Sequence, residues 1–197
     1  KSEIRGKKPV FVVGLNMIPK KLFLTKGHGT HRHRLQSFEL ALRNAGIASC
    51  NLVNVSSIVP PHCELISRAE GMSLLHPGEI TYCVLSKVHT KDPGTIGASV
   101  GIAIPDSTDE YGYIAEYHDP EESISQLKNT VEELAILMLA TTKGVTTSQD
   151  GLNKSVTDEE IVNRFKDQMR TDSVAELLQH TDSNRWSTVV AVAVFIE

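Results

Sequence analysis

The stretch NLVNVSSIVPP, Asn51 to Pro61, joins a strand pattern to a serine pair and then to a proline pair. Apolar and polar residues alternate from Val53 to Ser56, which predicts a strand with one buried face. Proline fixes its own φ angle and restricts the residue before it, so Pro60–Pro61 predict a rigid exit from this strand. The question for function is why the strand ends on Ser56–Ser57 inside so constrained a segment.

Short apolar segments recur on both sides of this stretch and predict a protein rich in β-strands. They contain many Val, Ile, Thr and Tyr residues and are bounded by Gly, Pro, Asn or Asp, as strands are. The segment TIGASVGIAIP also places small residues inside a strand, which predicts close packing against another layer or a ligand. The predicted strands are PVFVVG (9–14), KLFLTKG (21–27), CNLVNV (50–55), CELIS (63–67), EITYCVLSKVH (79–89), TIGASVGIAIP (95–105), YGYIAEYH (111–118) and STVVAVAVFIE (187–197).

Two amphipathic helices are predicted between these strands. The first runs from His33 to Ala45, and Gly46 can close it because glycine adopts the left-handed conformation that ends many helices. The second runs from Glu121 to Thr142, with Asp119 as its N-cap, Pro120 in its first turn and two carboxylates near its start. Its apolar stripe, predicted to be core, is Ile124, Leu127, Val131, Leu134 and Met138. Strands and helices together indicate an α+β fold.

The composition becomes polar after residue 144, in VTTSQDGLNKSVTDEE (145–160). This segment predicts a loop that ends in a capping box, Thr157 with Glu160, at the start of another helix. A short amphipathic piece is predicted at Val174–Leu178, and Val145–Arg185 as a whole is interpreted as a charged insertion before the last strand. The helix after the capping box is predicted to run through Ile161, Phe165 and Met169.

The overall composition is that of a single globular domain covering residues 1–197. Hydrophobic residues make up 40% and charged residues 22% of the chain, which is ordinary for a soluble protein with one core. A net charge of −4 gives no electrostatic case for nucleic acid or an anionic membrane as a partner. No apolar run reaches the roughly 18 residues of a membrane span, and the run near the N-terminus is too short for a signal peptide. Three cysteines without paired spacing favour a reducing cytoplasm.

The pair Ser56–Ser57 allows two interpretations. Serines before prolines form an acceptable turn, and a turn alone explains the residue types. Alternatively, the peptide bond between the serines is a reaction site, because a hydroxyl in a strained turn can attack the carbonyl before it and convert the amide into an ester. Elimination and loss of ammonia would then leave a pyruvoyl group at position 57, whose ketone can condense with an amine and accept electrons. A serine hydrolase is disfavoured because no G-x-S-x-G pattern surrounds Ser57.

The wider sequence resembles the pyruvoyl-dependent arginine decarboxylases. The stretches that carry the resemblance are FLTKGHGTHRHRLQSFE (23–39), SFELALRNAGIASCNLVNVSSIVPP (37–61), PGEITYCVLS (77–86), TIGASVGIAIP (95–105) and GYIAEYH (112–118). The resemblance implies a layered αββα sandwich, self-cleavage into a β chain (1–56) and an α chain (57–197), and a covalent pyruvoyl cofactor derived from Ser57, with neither pyridoxal phosphate nor a metal. It also implies a homotrimer or a dimer of trimers, with the active site between neighbouring protomers.

The resemblance assigns roles position by position. Ser56 and Ser57 form the cleavage site, and Asn51 matches an asparagine that polarises the carbonyl during processing, as an amide donor aimed at an oxyanion would. Glu116 matches the catalytic proton donor, and burial would raise its pKa and suit it to acid work. Glu39 matches an acidic residue that binds the substrate guanidinium, an aspartate in the methanogen-type members. From residue type alone, Asn51 also fits a strand entry, and both glutamates fit solvent-exposed positions.

The remaining polar and small residues have simpler interpretations. His28, His31 and His33 match no zinc pattern, so no metal site is predicted. Gly27 and Gly29 lack the spacing of a dinucleotide motif and are predicted to form a turn. Three thiols are predicted to be small core residues on strands, namely Cys50, Cys63 and Cys83.

The function that the resemblance implies is decarboxylation of the small molecule L-arginine to agmatine and CO2, which feeds polyamine synthesis. The same chemistry on histidine or lysine remains open, because Glu39 is one methylene longer than aspartate. A binding or assembly subunit that never cleaves is the alternative from a different class. A histidine-rich metal-binding protein is a third alternative.

Overall fold

Residues 17–119, 123–145 and 156–197 are described by the computed structural model of the chain. The strands are β1 (Lys21–His31), β2 (Asn51–Asn54), β3 (Ile58–Val59), β4 (Glu64–Leu65), β5 (Ile80–Thr90), β6 (Gly94–Pro105), β7 (Gly112–Tyr117), β8 (Met169–His180) and β9 (Trp186–Ile196). The helices are α1 (Arg34–Ala45), α2 (Arg68–Leu74), α3 (Ile124–Thr142) and α4 (Asp158–Phe165). The strand predicted at residues 9–14 lies outside the described residues. Among the helices of the described part, none is long and apolar enough to cross a bilayer.

The strands form two sheets with helices on their outer faces. The five-stranded sheet has the order β2-β5-β9-β1-β4, and the four-stranded sheet has the order β3-β7-β6-β8. Helices α1 and α2 pack on the first sheet, whereas α3 packs on the second with α4 beside it. One apolar core fills the space between the sheets, and a further core lies under each helical layer. The predicted α+β class and the αββα order of layers are confirmed.

Strand β9 is buried on both faces, which explains its unbroken apolar sequence. A strand in the middle of a covered sheet has no polar face, so its residues do not alternate in polarity. The side chains that enter the core between the sheets are Val189, Ala191, Ala193 and Phe195. The side chains that enter the core beneath α1 are Val190, Val192, Val194 and Ile196.

Glycines in two strands allow helices to approach the sheets closely. A Cβ atom at Gly101 in β6 would lie 2.8 Å from the backbone of Val131 in α3, so the predicted close packing of this strand is confirmed. A Cβ atom at Gly29 would lie 2.5 Å from the Ser37 carbonyl oxygen of α1. The turn predicted at Gly27–Gly29 is therefore wrong, since both residues belong to β1 and lie beneath α1.

The ends of two helices test the capping predictions. Gly46 closes α1 with a φ of 85°, as predicted. The N-cap of α3 is Ser123 rather than Asp119: its hydroxyl accepts from the Gln126 N–H, and the Gln126 side chain accepts from the Ser123 N–H. This capping box pairs the N–H groups of both Ser123 and Gln126. A cap at Asp119 would leave these two groups unpaired. The predicted first turn, Pro120 to Glu122, lies outside the described residues. Of the predicted stripe, Leu127 and Val131 are buried, Leu134 and Met138 are half-buried, and Ile124 is exposed.

The C-terminal third departs from its predicted helices. The capping box of Thr157 and Glu160 starts α4 as predicted, but Met169 begins β8 instead of continuing the helix. The piece Val174–Leu178 is likewise part of β8 and not a helix. Strand β8 pairs with β6 along its whole length, from Gly94↔His180 to Pro105↔Met169. These ladder bonds and the helix packed above them override the helical propensity of a Leu- and Glu-containing segment.

A polar cluster joins β1 of the five-stranded sheet to β8, an edge strand of the four-stranded sheet. Glu176 of β8 accepts hydrogen bonds from Lys26 Nζ (2.9 Å) and His28 Nδ1 (2.7 Å) of β1. Burial raises the pKa of Glu176, but the hydrogen bonds and charges of Lys26 and His28 outweigh it, and the net pKa is lowered. Lys26 Nζ also donates to the Ala175 carbonyl (2.8 Å). The cluster therefore fixes β1 against β8 across the layer boundary.

Replacing Glu176 with glutamine is expected to destabilise the chain by about 1–2 kcal/mol at neutral pH, after allowance for the partial exposure of Lys26 and His28. Because the folded pKa of Glu176 is depressed, its contribution is present above the unfolded carboxyl pKa of about 4.3 and is lost as the pH falls through the lower folded value. Urea unfolding of both proteins at neutral pH and at about pH 3 measures this. Equal stability at neutral pH, or a difference that persists undiminished in acid, would count against the cluster.

Candidate active site

The chain crosses from one sheet to the other at Ser56. Before the crossing, the Val55 N–H donates to the Cys83 carbonyl of β5 in the five-stranded sheet (2.9 Å). After it, the Ser57 carbonyl accepts from the Ile114 N–H of β7 in the four-stranded sheet (2.8 Å). The Ser56–Ser57 peptide bond therefore spans the two layers, with a backbone hydrogen bond fixing the chain on each side.

Ser57 occupies the centre of a tight turn. The Ile58 N–H donates back to the Ser56 carbonyl oxygen (3.0 Å), which is the hydrogen bond of a γ-turn. Ser56 is exposed and Ser57 is half-buried. Across the described ranges, no hydrogen bond engages the Ser57 hydroxyl.

The exit from the turn is constrained by more than its two prolines. His62, directly after Pro61, has a φ of 61°, a conformation that non-glycine residues rarely adopt. Its N–H donates to the Thr108 carbonyl (3.0 Å), and the Cys63 N–H donates to the Pro60 carbonyl (3.2 Å). These bonds hold the backbone on both sides of the unusual residue, so the chain after Ser57 has little freedom to relax.

Glu116 lies on β7, two residues beyond the Ile114 that holds Ser57. A strand rises about 3.3 Å per residue, so Glu116 is roughly 7 Å along β7 from that hydrogen bond, with its side chain on the same face as that of Ile114. Glu116 is exposed in the single chain. Desolvation nevertheless raises its pKa, and the charge of His118 opposes this rise. A carboxyl with a raised pKa keeps its proton to higher pH, as a proton donor requires.

The buried cysteines are not nucleophiles. Burial raises the pKa of Cys63 to about 11 and that of Cys83 to about 11, so both remain thiols at neutral pH. The charge of Glu116 adds to this rise in the pKa of Cys83. Both cysteines are buried as predicted, but only Cys83 is on a strand, since Cys63 directly precedes β4. Cys50 is half-buried in the turn before β2 rather than on a strand.

Two serines that the sequence interpretation missed fix the backbone beside Glu116. Ser99 Oγ of β6 and Ser86 Oγ of β5 both donate to the Tyr117 carbonyl, at 3.0 Å and 3.2 Å. Ser86 belongs to the five-stranded sheet, so this bond joins the two sheets one residue away from Glu116. A buried serine on a strand has no sequence signature, because its importance comes from the carbonyl that the fold places opposite it.

Asn51 is the first residue of β2. Its side-chain Nδ2 donates to the Gly78 carbonyl (2.8 Å), and its backbone N–H donates to the Glu79 carbonyl (2.7 Å). The amide is thus bonded to the loop before β5 and makes no recorded bond to Ser56 in the described part of the chain. This is the arrangement expected of a strand-entry residue.

Glu39 lies on α1, on the outer side of the five-stranded sheet, and is half-exposed. Its Oε1 accepts from Arg43 Nε one helical turn later (2.9 Å). The carboxylate therefore already holds one guanidinium. Within the described residues, the structure records no hydrogen bond or ion pair between Glu39 and either Ser57 or Glu116.

The histidine-rich segment contributes to structure. His28 pairs with Glu176, as described above, and the rings of His31 and His33 lie 5.7 Å apart. Within residues 17–119, 123–145 and 156–197, no group of three His, Cys, Asp or Glu side chains has the arrangement of a metal site.

Comparison with known proteins identifies the family of this chain. A profile of the pyruvoyl-dependent arginine decarboxylase family matches residues 21–197. Pyruvoyl-dependent arginine decarboxylase 2 of Methanosarcina acetivorans is 42% identical over 181 residues, which cover 91% of this chain and 98% of the relative. The pyruvoyl-dependent arginine decarboxylase of Methanococcoides burtonii is 42% identical over 181 residues, covering 91% of this chain and 99% of the relative. The chain belongs to the pyruvoyl-dependent arginine decarboxylase family.

The segment Val145–Arg185, interpreted above as a charged insertion, contributes a strand to the fold. This range lies inside the matched residues 21–197, and the alignments cover nearly the full length of the relatives. Its second half supplies β8, the edge strand of the four-stranded sheet.

Proposed function

We propose that this chain decarboxylates L-arginine to agmatine and CO2, using a pyruvoyl group formed by self-cleavage between Ser56 and Ser57, and that the product feeds polyamine synthesis. Membership of the family supports the reaction class. The structural observation that carries the proposal is the Ser56–Ser57 bond, which is held between the two sheets by a backbone hydrogen bond on each side. The free thiols support a cytoplasmic location.

The surroundings of position 57 suit a cofactor that forms from the chain itself. The Ser57 carbonyl and its partner Ile114 both belong to residues 57–197, so their hydrogen bond can persist after cleavage and keep position 57 beside β7. A pyruvoyl group there would supply a ketone that binds the substrate amine and accepts the electrons released with CO2. The chain residues that would hold it are Ser57 itself and the backbone of β7.

The two pieces would remain one domain after cleavage. Strand β1 lies in residues 1–56 and pairs with β9 of residues 57–197 from Lys21↔Ile196 to His31↔Trp186. Both strands line the core between the sheets. Separating the two pieces would expose the apolar side chains of this core to water, which is unfavourable. Cleavage into 1–56 and 57–197 would therefore break one peptide bond and leave the fold intact.

Glu116 would return a proton to the substrate carbon after CO2 has left. Its raised pKa keeps a proton available, and its position on β7 places it along the strand that holds Ser57. Asn51 would assist the earlier processing step. To do so its amide must release the Gly78 carbonyl and bind the Ser56 carbonyl, which lies beyond the other end of the short strand β2.

Glu39 would bind the substrate guanidinium at a site completed by a second copy of the chain. The five-stranded sheet separates α1 from the four-stranded sheet that carries Glu116, so one copy does not bring these groups together. Apolar side chains are exposed near Glu39 and near Asn51: Leu35, one turn before Glu39, is 80% exposed, and Ile80, which pairs with Asn51 in the ladder, is 64% exposed. Burial of such residues would favour self-association, and the assembly that we propose is a trimer or a dimer of trimers.

The reaction is tested by CO2 release from labelled arginine, lysine and histidine, with pyridoxal phosphate removed. We expect arginine to be the preferred substrate, since a carboxylate pairs in a bidentate manner with a guanidinium. Preference for lysine or histidine would assign the same chemistry to another amino acid. Activity that requires pyridoxal phosphate would contradict the proposed cofactor.

Replacing Glu39 with glutamine is expected to raise KM for arginine about tenfold or more with a smaller change in kcat, because a charge-assisted pair worth about 1.5–3 kcal/mol is lost. Arg43→Ala is the matched control: it removes the guanidinium that now occupies Glu39 and should leave KM unchanged or lower. An unchanged KM in Glu39→Gln would remove Glu39 from the site.

Co-expression of two defective chains tests whether Glu39 acts across an interface. Glu39→Gln chains retain Ser57, and Ser57→Ala chains retain Glu39. If the site is shared between copies, mixed assemblies regain activity at low arginine concentration relative to either variant alone. If Glu39 serves the site of its own chain, mixing restores nothing.

A further inference from the structure

The carboxyl of Glu116 depends on the backbone of β7 for its position. It makes no hydrogen bond or ion pair with any residue in the described part of the chain. Its side chain lies on the same face of β7 as that of Ile114, which belongs to the core between the sheets. The place of the carboxyl is therefore set by how firmly β7 is held at Glu116.

Strand β7 is bonded unequally on its two sides. Strand β3 pairs only with the start of β7, and the last bond on that side joins the Ile114 N–H to the Ser57 carbonyl. Strand β6 pairs with β7 as far as its last residue, Tyr117. Among the described residues, Glu116 therefore has a neighbouring strand on one side only.

Two buried hydroxyl groups hold this end of β7. Ser99 Oγ of β6 and Ser86 Oγ of β5 donate to the Tyr117 carbonyl at 3.0 Å and 3.2 Å. Ser99 is 0% and Ser86 is 3% exposed, so both bonds lie where water does not compete with them. Because β5 belongs to the five-stranded sheet, the bond from Ser86 ties the end of β7 to the opposite layer.

We propose that Ser86 and Ser99 are positioning residues for proton transfer from Glu116. The inference rests on the proposed function, since both serines would act through the proposed proton donor. Position 57 is bonded to Ile114, and Glu116 lies two residues further along β7, so a fixed strand sets the separation of cofactor and acid. A misplacement of about 1 Å in such a pair can lower the rate about 100-fold.

Replacing Ser86 with alanine is expected to lower kcat about tenfold, while KM for arginine stays within about twofold, because the carboxyl is displaced and substrate binding is not. Ser99→Ala should show the same pattern, and it gives an answer if the other variant fails to fold. Self-cleavage should continue in both, since the bonds that hold the Ser56–Ser57 turn are made by the backbone. Intact mass and steady-state CO2 release measure the two steps.

Ser187→Ala is the matched control. It also removes a buried serine hydroxyl from a strand, since Ser187 is 1% exposed. The partners of this hydroxyl are Thr30 and His180, and neither lies on β7. The variant should therefore lose hydrogen bonds in the core and keep its kcat.

Combining Ser86→Ala with Glu116→Gln separates positioning from a general structural role. If Ser86 acts through Glu116, its hydroxyl has no acid to position in Glu116→Gln, and Ser86→Ala should lower kcat by less than about twofold in that background. A general structural role predicts the same fall in kcat with and without Glu116. Equal falls in the two backgrounds would overturn the proposal.

Hydrogen exchange tests the hold on β7 without the cofactor. In an uncleaved Ser57→Ala chain, adding Ser86→Ala is expected to speed exchange in the peptide of residues 112–118 by about tenfold, because local opening becomes easier. Adding Ser187→Ala should leave exchange in this peptide unchanged. Unchanged exchange in the Ser86→Ala chain would contradict the role of this hydroxyl in fixing β7.

The possible outcomes separate this inference from the proposed function. Absence of CO2 release from the unsubstituted enzyme would overturn the proposed function, and full activity in Glu116→Gln would remove both the proton donor and the serines that position it. A normal enzyme and an impaired Glu116→Gln, together with unchanged kcat in both serine variants, would overturn only the positioning role. An equal fall of kcat in Ser187→Ala would also overturn it.

Discussion

Replacing Ser57 with alanine is expected to leave the protein as one uncleaved chain of 197 residues with arginine decarboxylation at background. Alanine has no hydroxyl to attack the Ser56 carbonyl, so neither the ester nor the pyruvoyl group can form. The fold should be retained, because the bonds from Val55 to Cys83 and from Ile114 to position 57 are made by the backbone. A denaturing gel and an assay of CO2 release measure both effects.

Ser56→Ala is the matched control for this prediction. Position 56 supplies only its backbone carbonyl to the reaction and its side chain is exposed, so the variant should still cleave and remain active. Cleavage of Ser57→Ala at the same place would show that another nucleophile acts. Loss of cleavage in both variants would mean that the turn, rather than the Ser57 hydroxyl, had been disturbed.

Replacing Glu116 with glutamine is expected to lower kcat for decarboxylation by about 100-fold or more, the usual effect of removing a general acid. Self-cleavage should continue, since Glu116 makes none of the hydrogen bonds that hold the Ser56–Ser57 turn. Rates of cleavage and of CO2 release, measured on the same preparation, separate the two steps. Glu133→Gln, on an exposed position of α3, is the control and should retain full activity. Full activity in Glu116→Gln would exclude it as the proton donor.

The pH profile of the unsubstituted enzyme adds a second readout for Glu116. Desolvation raises its pKa above the ordinary carboxyl value, so the protonated form persists to higher pH. If this form donates the proton, kcat falls as the pH rises through the raised pKa of Glu116. The Glu116→Gln variant should not show this fall in kcat. If the same fall in kcat persists in Glu116→Gln, it reports the titration of a different side chain.

The sequence predicted the elements whose burial leaves a simple pattern. The apolar run STVVAVAVFIE fits β9 because both of its faces are covered, and Gly46 marks the end of α1 by its positive φ. Strand β8 was missed because its residues suit a helix when considered alone, and only pairing with β6 makes them a strand. The glycines of β1 were misplaced because a close helix, which a local pattern does not show, requires them.

The site was predicted less completely than the fold. Resemblance to a family identified Ser56–Ser57 and Glu116, and the structure places the first at the crossing between sheets and the second on the strand that anchors it. The groups that fix the turn are the backbone atoms of Cys83, Ile114 and Ile58. Backbone atoms are present at every position, so no residue type signals them.

The most direct test of this account is the intact mass of the unsubstituted protein under denaturing conditions. The account predicts two chains that divide between Ser56 and Ser57, with the larger chain lighter by one ammonia than a product of simple hydrolysis. A single chain after long incubation would contradict it. Two chains whose larger member begins with an ordinary serine would also contradict it, because the bond would then break without forming the pyruvoyl group.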